Sequence, residues 1–506
     1  MNNLYICMPD TLYVGRYYKL YALPKYGELN NYTYEVTGDC IKNVGANTIL
    51  VTGVGTITVT AIDEKLGTAT KVISCEEVPE PKREKIEYTY TSAEDFKNLI
   101  ENITTPTEVI FQNDADIVLD KTIYVPYGVL LNFNWKNIKI GATVIEKAVT
   151  FDFSQDHCGV TNLKLYSTYP DWSEHSTADK YLQSHTLFKI KGAFFKLENY
   201  VCVNRQNFSI SVGMAVAGCD LTEYSKTYTW NTDNIETGSC INENGEIVEE
   251  SDCYYTPNAI AIPTNSKKLG AGFFDGFIKG SVKTYGIAFY DDDENFIESR
   301  YGQQFFTGYE IPDGATKCRL MLWGDSELTS STGMDWSCYL FLFNRYNTEN
   351  ILFKRCRSME NESGMLDFVG GIDGLNIITC VANSGKTNGW AVDFEDGWMM
   401  MHNVVVKSCQ IKKLVIHSVQ GIGVLNCLIF SHIVKSWANG VYFKTCRLIK
   451  FSKSNVDISS ITVPALYDNC KSETATLPSN DYIRLSDCEC SGNSNTETAY
   501  NYVYWL

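Results

Sequence analysis

Asp393-Phe394-Glu395-Asp396-Gly397-Trp398 sets three carboxylates and an indole within six residues. If this segment is a strand entering a turn, alternate side chains share a face, so Asp393 and Glu395 point one way while Asp396 opens the turn. Asp367 and Asp373 precede the cluster by enough chain to occupy a neighbouring strand of a stacked array, one or two spacings of about 4.8 Å away. Carboxylates facing one groove at roughly 5 to 9 Å meet the requirement for glycosidic hydrolysis, as acid and base or as acid and nucleophile. Trp390 and Trp398 are placed to stack on sugar faces. The same residues have a plainer use, since turn aspartates accept backbone amides and Gly397 permits a tight turn. The run holds no lysine or arginine, which favours hydrolysis over elimination by such a base.

The elements that must position these carboxylates announce themselves through cysteine. Short apolar strands end at Cys356, Cys380, Cys409, Cys427, Cys446, Cys470 and Cys488, at intervals of 24, 29, 18, 19, 24 and 18 residues. A strand-and-turn unit recurring near 20 residues predicts a solenoid in which each coil stacks on the last. The Leu/Asn consensus of leucine-rich repeats is absent, and β-branched or aromatic strands with variable turns fit a parallel β-helix. Its thiols then line the interior as small buried hydrophobes.

Composition narrows the function. The chain has 506 residues, a formal net charge of −17 and a pI near 4.9. Without a Lys/Arg excess to displace phosphate counterions, a nucleic-acid partner is not expected. No metal site or cofactor is expected: the 18 cysteines form no metal-spaced CxxC pair, and His157, His175, His185, His402, His417 and His432 show no ligand spacing. The acidic run Asp291-Asp292-Asp293-Glu294-Asn295 lacks the spaced calcium loop and predicts a solvated hairpin turn. The N-terminus shows no basic region followed by an apolar core, and no apolar run approaches the roughly 18 residues of a span, so no membrane insertion is expected. A surface-acting protein without an export signal suggests synthesis in a host cytoplasm and release by lysis, as part of a virion.

The chain divides into six stretches. Residues 1–78 alternate apolar and polar between Gly, Asn and Asp turns; Leu12-Tyr13-Val14-Gly15 and Gly55-Thr56-Ile57-Thr58-Val59-Thr60-Ala61 resemble the ends of bacterial Ig-like β-sandwich modules. Residues 79–91 form a charged, proline-bearing linker. In 92–219, Ser92 caps a helix with Phe96, Leu99, Ile100 and Ile103 on one face, suited to covering the open end of a solenoid whose first part follows. Residues 220–345 break the rhythm and predict an inserted jelly-roll-like β-sandwich. Its segments Asn244-Gly245, Tyr255-Thr256-Pro257, Ala288-Phe289-Tyr290-Asp291 and Ile311-Pro312-Asp313-Gly314-Ala315 resemble carbohydrate-binding-like sandwiches, which makes Tyr290 a glycan-binding candidate. The solenoid resumes over 346–490, and 491–506 is an apolar tail expected to pack on a neighbour or on the last coil. The fold class is therefore all-β.

Set on stacked coils, the Asp393–Trp398 run resembles the pectate-lyase-like right-handed β-helix of bacteriophage tail appendages and tailspikes. The resemblance implies a homotrimeric receptor-binding protein of the virion tail. Its partners would be other virion tail proteins and a bacterial cell-surface polysaccharide or teichoic acid. In some members it also implies a depolymerase, with Asp393, Glu395 and Asp396 as site candidates. Two rivals are a dedicated polysaccharide-degrading hydrolase and a bacterial adhesin with an Ig-like stalk.

Overall fold

The computed structural model describes the chain except residues 1–3, 27–29, 120–121, 143–148, 168–184, 203–207, 213–235, 263–267, 274–281, 304–308, 325–337, 344–347, 362–365, 369–370, 385–391, 395–400, 418, 436–437, 453–455, 457–462, 475–481 and 491–506. The described residues are almost all β. Their largest assembly is a 27-stranded set of parallel strands in which each strand pairs with one two or three places further on, so the chain winds in stacked turns.

The pairings resolve into three faces. The first begins with Glu84–Tyr88 on Thr107–Phe111 and continues through Ile372–Ile378, Met401–Lys407 and Val419–Leu425 to Ile483–Ser486. The second runs through Arg357–Asn361, Val381–Ser384 and Gln410–Ile416. The third carries Phe208–Val212, Leu366–Phe368 and Val392–Phe394. Inward residues of all three faces fill one continuous interior, from Phe96 and Phe111 through Phe353, Phe394 and Val424 to Ile483.

Each corner between the first and second faces is a backbone device. Arg355, Thr379, Ser408, Asn426, Thr445, Asn469 and Asp487 adopt φ between 49° and 55°, each immediately before the corner cysteine. This left-handed residue turns the chain while its N–H donates to a carbonyl of the next coil, as Asn426 does to Lys444 at 3.0 Å. The cysteine then enters the interior. The backbone N–H of Cys380 donates to Cys409 Sγ, and that of Cys409 to Cys427 Sγ, each at 3.4 Å, so the thiols align along one axis. Burial pushes the Cys380, Cys409 and Cys427 thiols up, and the described cysteines are free thiols.

The helix Ala93–Glu101 starts where expected, with Ser92 Oγ accepting from Asp95 N–H at 3.0 Å and Phe96 and Ile100 fully buried. It does not precede the first coil, because Glu84–Tyr88 is already a rung. Only the front of the 79–91 stretch is a connector, and it is pinned: Arg83 Nε and Nη2 donate to Gly128 and His157 carbonyls at 2.8 and 2.7 Å. The half-buried guanidinium finds carbonyls here for its donors.

The N-terminal stretch forms three small sheets around Leu12, Tyr18, Ile49, Val59 and Ile73. It does not stand clear of the coils as a spacer. Tyr17–Lys19 lies against the first face, where Ala46 packs with Val405 and Leu425. The insert between Phe208–Val212 and Thr348–Lys354 comprises two antiparallel sheets, one running Glu236–Ile241, Ile247–Tyr255, Lys317–Gly324, Val282–Tyr290, Phe296–Gln303. It too is anchored: Lys25 pairs with Glu298 at 2.8 Å, and the Arg300 guanidinium lies 4.5 Å from the Tyr5 ring centroid. The Asp291–Asn295 run is the expected hairpin turn, its Asp291 carboxylate accepting from Asp293 and Asn295 backbone N–H at 3.0 and 2.8 Å.

Candidate functional site

On the third face, Val392–Phe394 alternates as the sequence required: Val392 and Phe394 are buried inward and Asp393 is half-buried between them. Leu366–Phe368 is the preceding rung, in register Leu366 to Val392, Asp367 to Asp393 and Phe368 to Phe394. The Phe368 and Phe394 rings stack at 5.0 Å between centroids and lock that register from inside. Asp367 and Asp393 are thus opposite one another on adjacent rungs, one parallel-strand spacing of about 4.8 Å apart in backbone. The next rung, Gln410–Ile416, aligns Val415 with Asp393 and so carries Lys413 near it. Burial and the neighbouring Lys435 charge pull the Lys413 ammonium down, while Asp393 acts to hold it up. The basic neighbour that the linear sequence lacked is therefore supplied by stacking.

Asp373 does not join this group. It lies on Ile372–Ile378, a strand of the first face, in register with Glu349 and His402. Its Oδ1 accepts from Asn403 Nδ2 at 2.7 Å, so Asp373 ties two rungs together beneath the N-terminal module. The expectation that it shares a groove with Asp393 fails because Ile372–Ile378 pairs within the first face while Val392–Phe394 pairs within the third. Tyr290 is likewise no sugar platform: it is 4% exposed in the core of the insert with Cys240, Cys253 and Met321, under the Arg319 guanidinium at 5.0 Å. Trp390, Glu395, Asp396 and Trp398 lie outside the described residues. Among the described residues no group of three or more His, Cys, Asp or Glu could hold a metal ion, and no helix is long and apolar enough to cross a membrane.

Two features escaped the sequence reading. Lys413 did, because only stacking places it beside Asp393. The docking of the N-terminal module on the first face did as well. Asn376 and Asn350, both buried, hold that contact: Asn376 bonds the Tyr17 backbone, and Asn350 Oδ1 accepts from the Tyr18 hydroxyl at 3.0 Å. A signal was available in Val404-Val405-Val406 and in Gly421-Ile422-Gly423-Val424-Leu425, where no charged residue alternates with the inward ones and both sides of the strand are buried.

No family model matches the chain, and no curated protein does. Among solved structures, a cycloisomaltooligosaccharide glucanotransferase of Paenibacillus sp. complexed with cycloisomaltoheptaose is similar at a TM-score of 0.15 and 9% identity, over 67% of this chain and 71% of that one. A likeness of that size assigns the chain to no family.

Proposed function

We propose that the chain is a right-handed parallel β-helix with an Ig-like N-terminal module and a jelly-roll-like insert. In this reading it serves as a bacteriophage tail appendage or tailspike that adsorbs to a bacterial cell-surface polysaccharide or teichoic acid, as a homotrimer. The supporting observation is the stacked array of parallel rungs, which presents outer side chains at a regular spacing along one axis. Such periodicity suits a repeating polymer, whose successive units meet equivalent rungs. The resemblance of the Asp393–Trp398 run to tailspike coils supports the same reading. Binding of the purified chain to host wall polymer, together with labelling of virions by an antibody against it, is the test. A chain that binds no wall polymer and labels no tail overturns it.

A second reading, depolymerisation, is favoured by one observation: Asp367 and Asp393 in register, with Lys413 on the next rung. Two aspartates at one register position with a lysine on the next rung are residue types able to supply an acid, a base and a charge to steady an anionic sugar. New reducing ends after incubation with wall polymer, lost in Asp393→Asn and Glu395→Gln, would establish it; polymer of unchanged length would dismiss it.

A further inference from the structure

The corner cysteines stand in register as well as on one axis. The residues that directly follow them pair in succession, from Arg357 with Val381 to Lys471 with Glu489, so each cysteine faces the next one along the column. Adjacent parallel strands lie about 4.8 Å apart, within the Cα separation of roughly 4.4 to 6.8 Å that a disulfide bridges. Spacing therefore permits a cross-link at every step of the column.

Access and freedom to move single out the last step. From Cys356 to Cys470 each corner thiol is no more than 3% exposed, whereas Cys488 is half-buried. A bond between two sulfurs draws their rungs together, and an interior rung is held by a strand on each side. Among the described residues Ile483–Ser486 pairs on one side alone, with Ala465–Asp468, so this rung can yield. The pairs Asp468 with Ser486 and Lys471 with Glu489 fix Cys470 opposite Cys488. The Cys488 side chain leans back onto the Cys470 coil, its Sγ donating to the Tyr467 carbonyl at 3.3 Å. Hydrogen bonds from the Cys446 and Cys488 thiols pull the Cys470 thiol down, while donating to Cys470 pushes Cys488 up. Cys470 is thus the readier thiolate, and Cys488 is the sulfur that solvent reaches.

We propose that Cys470 and Cys488 form a thiol–disulfide exchange site, which a low-molecular-weight disulfide oxidises to a cross-link between the last two described coils. The Cys488 thiol gives its proton to solvent and attacks one sulfur of the oxidant, whose S–S bond breaks and releases one thiolate. The Cys470 thiolate then attacks Cys488 Sγ, and the second thiolate leaves. Two protein thiols are oxidised, and one disulfide is reduced to two thiols. In a reducing compartment both thiols persist, and in oxidising surroundings the bond restrains the last coil. The proposal stands apart from the glycan-recognition reading and does not depend on it.

The test exposes the full chain to glutathione disulfide at about pH 8, where thiolates form, then alkylates the remaining thiols and maps the peptides by mass. A joined Cys470–Cys488 peptide pair, lighter by two hydrogens and separated again by dithiothreitol, is expected. Hydrogen exchange reads the consequence. The Glu489 N–H donates to the Cys470 carbonyl at 3.0 Å, and it should exchange about tenfold or more slower in the oxidised chain, because a closed loop has fewer open states. Cys490 is exposed, so Cys490→Ser should keep both effects, whereas Cys488→Ser should lose both. Thermal unfolding is followed alongside to verify that each variant folds. Oxidation confined to the other neighbouring thiols, Cys40 with Cys75 or Cys240 with Cys253, overturns the proposal. So does a Cys488–Cys490 bridge, glutathione retained on Cys488 without the cross-link, or Glu489 exchange that the cross-link leaves unchanged.

Discussion

The Asn376 side chain pairs with the Tyr17 backbone as if it were a neighbouring strand: its Oδ1 accepts from Tyr17 N–H at 2.7 Å and its Nδ2 donates to Tyr17 C=O at 2.9 Å. One carboxamide thus satisfies both polar groups of a peptide that docking would otherwise bury unpaired. Asn376 is 1% exposed, so water offers no substitute. In Asn376→Leu both Tyr17 groups lose their partner, and docking should weaken by about 2 to 4 kcal/mol, the cost of two orphaned groups. Hydrogen exchange reads this directly. The Tyr17 amide is expected to lose protection while Val424 in the coil interior keeps it, and unchanged exchange at Tyr17 contradicts the role assigned to Asn376.

Gly423 makes the same contact possible sterically. A Cβ there would stand 2.7 Å from Thr48 Oγ1, and one at Gly440 would stand 2.7 Å from the Tyr21 ring. Gly423→Val therefore pushes the module off the first face, costing about 1 to 3 kcal/mol of overpacking. Unfolding of this variant should split, an early step for the module and an unshifted one for the coils. Gly423→Ala combined with Thr48→Ala should recover part of the loss, because the clash partner is gone.

The rhythm of coils was legible because each carries the same local instruction, an apolar strand ending at a cysteine, and a local period needs no knowledge of distant partners. The capped helix was legible for the same reason, since Ser92 and Asp95 act over three residues. Interfaces between distant segments were not. Tyr17 and Asn376 are 359 residues apart, and neither residue type at its position signals the other. Asp373 was assigned to the wrong face because its distance along the chain to Asp393 matches both a same-face and a next-face position. Only the strand pairings, Ile372–Ile378 with the first face and Leu366–Phe368 with the third, decide between them. Tyr290 misled for another reason: aromatic content looks alike whether it fills a sandwich core or faces sugar.

The left-handed corners carry measurable strain. Thr445 sits at φ 54° and Asn426 at φ 52°, both exposed and both directly before a corner cysteine. Asparagine tolerates this region and a β-branched residue does not, the difference being about 1 to 2 kcal/mol. Thr445→Asn should therefore stabilise the coils by about 1 kcal/mol and Asn426→Val should destabilise them by a similar amount. Denaturant midpoints measured on both variants check the sign. Equal midpoints would mean that the corner backbone relaxes at no cost.

His432 lies in the interior, fully buried, with Nε2 2.9 Å from the Tyr467 hydroxyl and its ring 5.0 Å from that of Phe443. Burial lowers it from the ordinary 6.5 to about 3, so the folded chain keeps it neutral where the unfolded chain protonates it. The sign follows from proton counting: below about 6.5 the unfolded state binds the extra proton, and stability falls as pH drops, continuing until the folded-state value is reached. Its contribution is whole at neutral pH and declines by about 2 kcal/mol between pH 7 and 5. His432→Leu removes this term and leaves the Tyr467 hydroxyl without its imidazole. The variant should be less stable at pH 7 yet lose about 2 kcal/mol less than the native chain on acidification to pH 5. Urea midpoints at the two pH values decide it, and parallel declines in both proteins would show that His432 takes up its proton in the folded state.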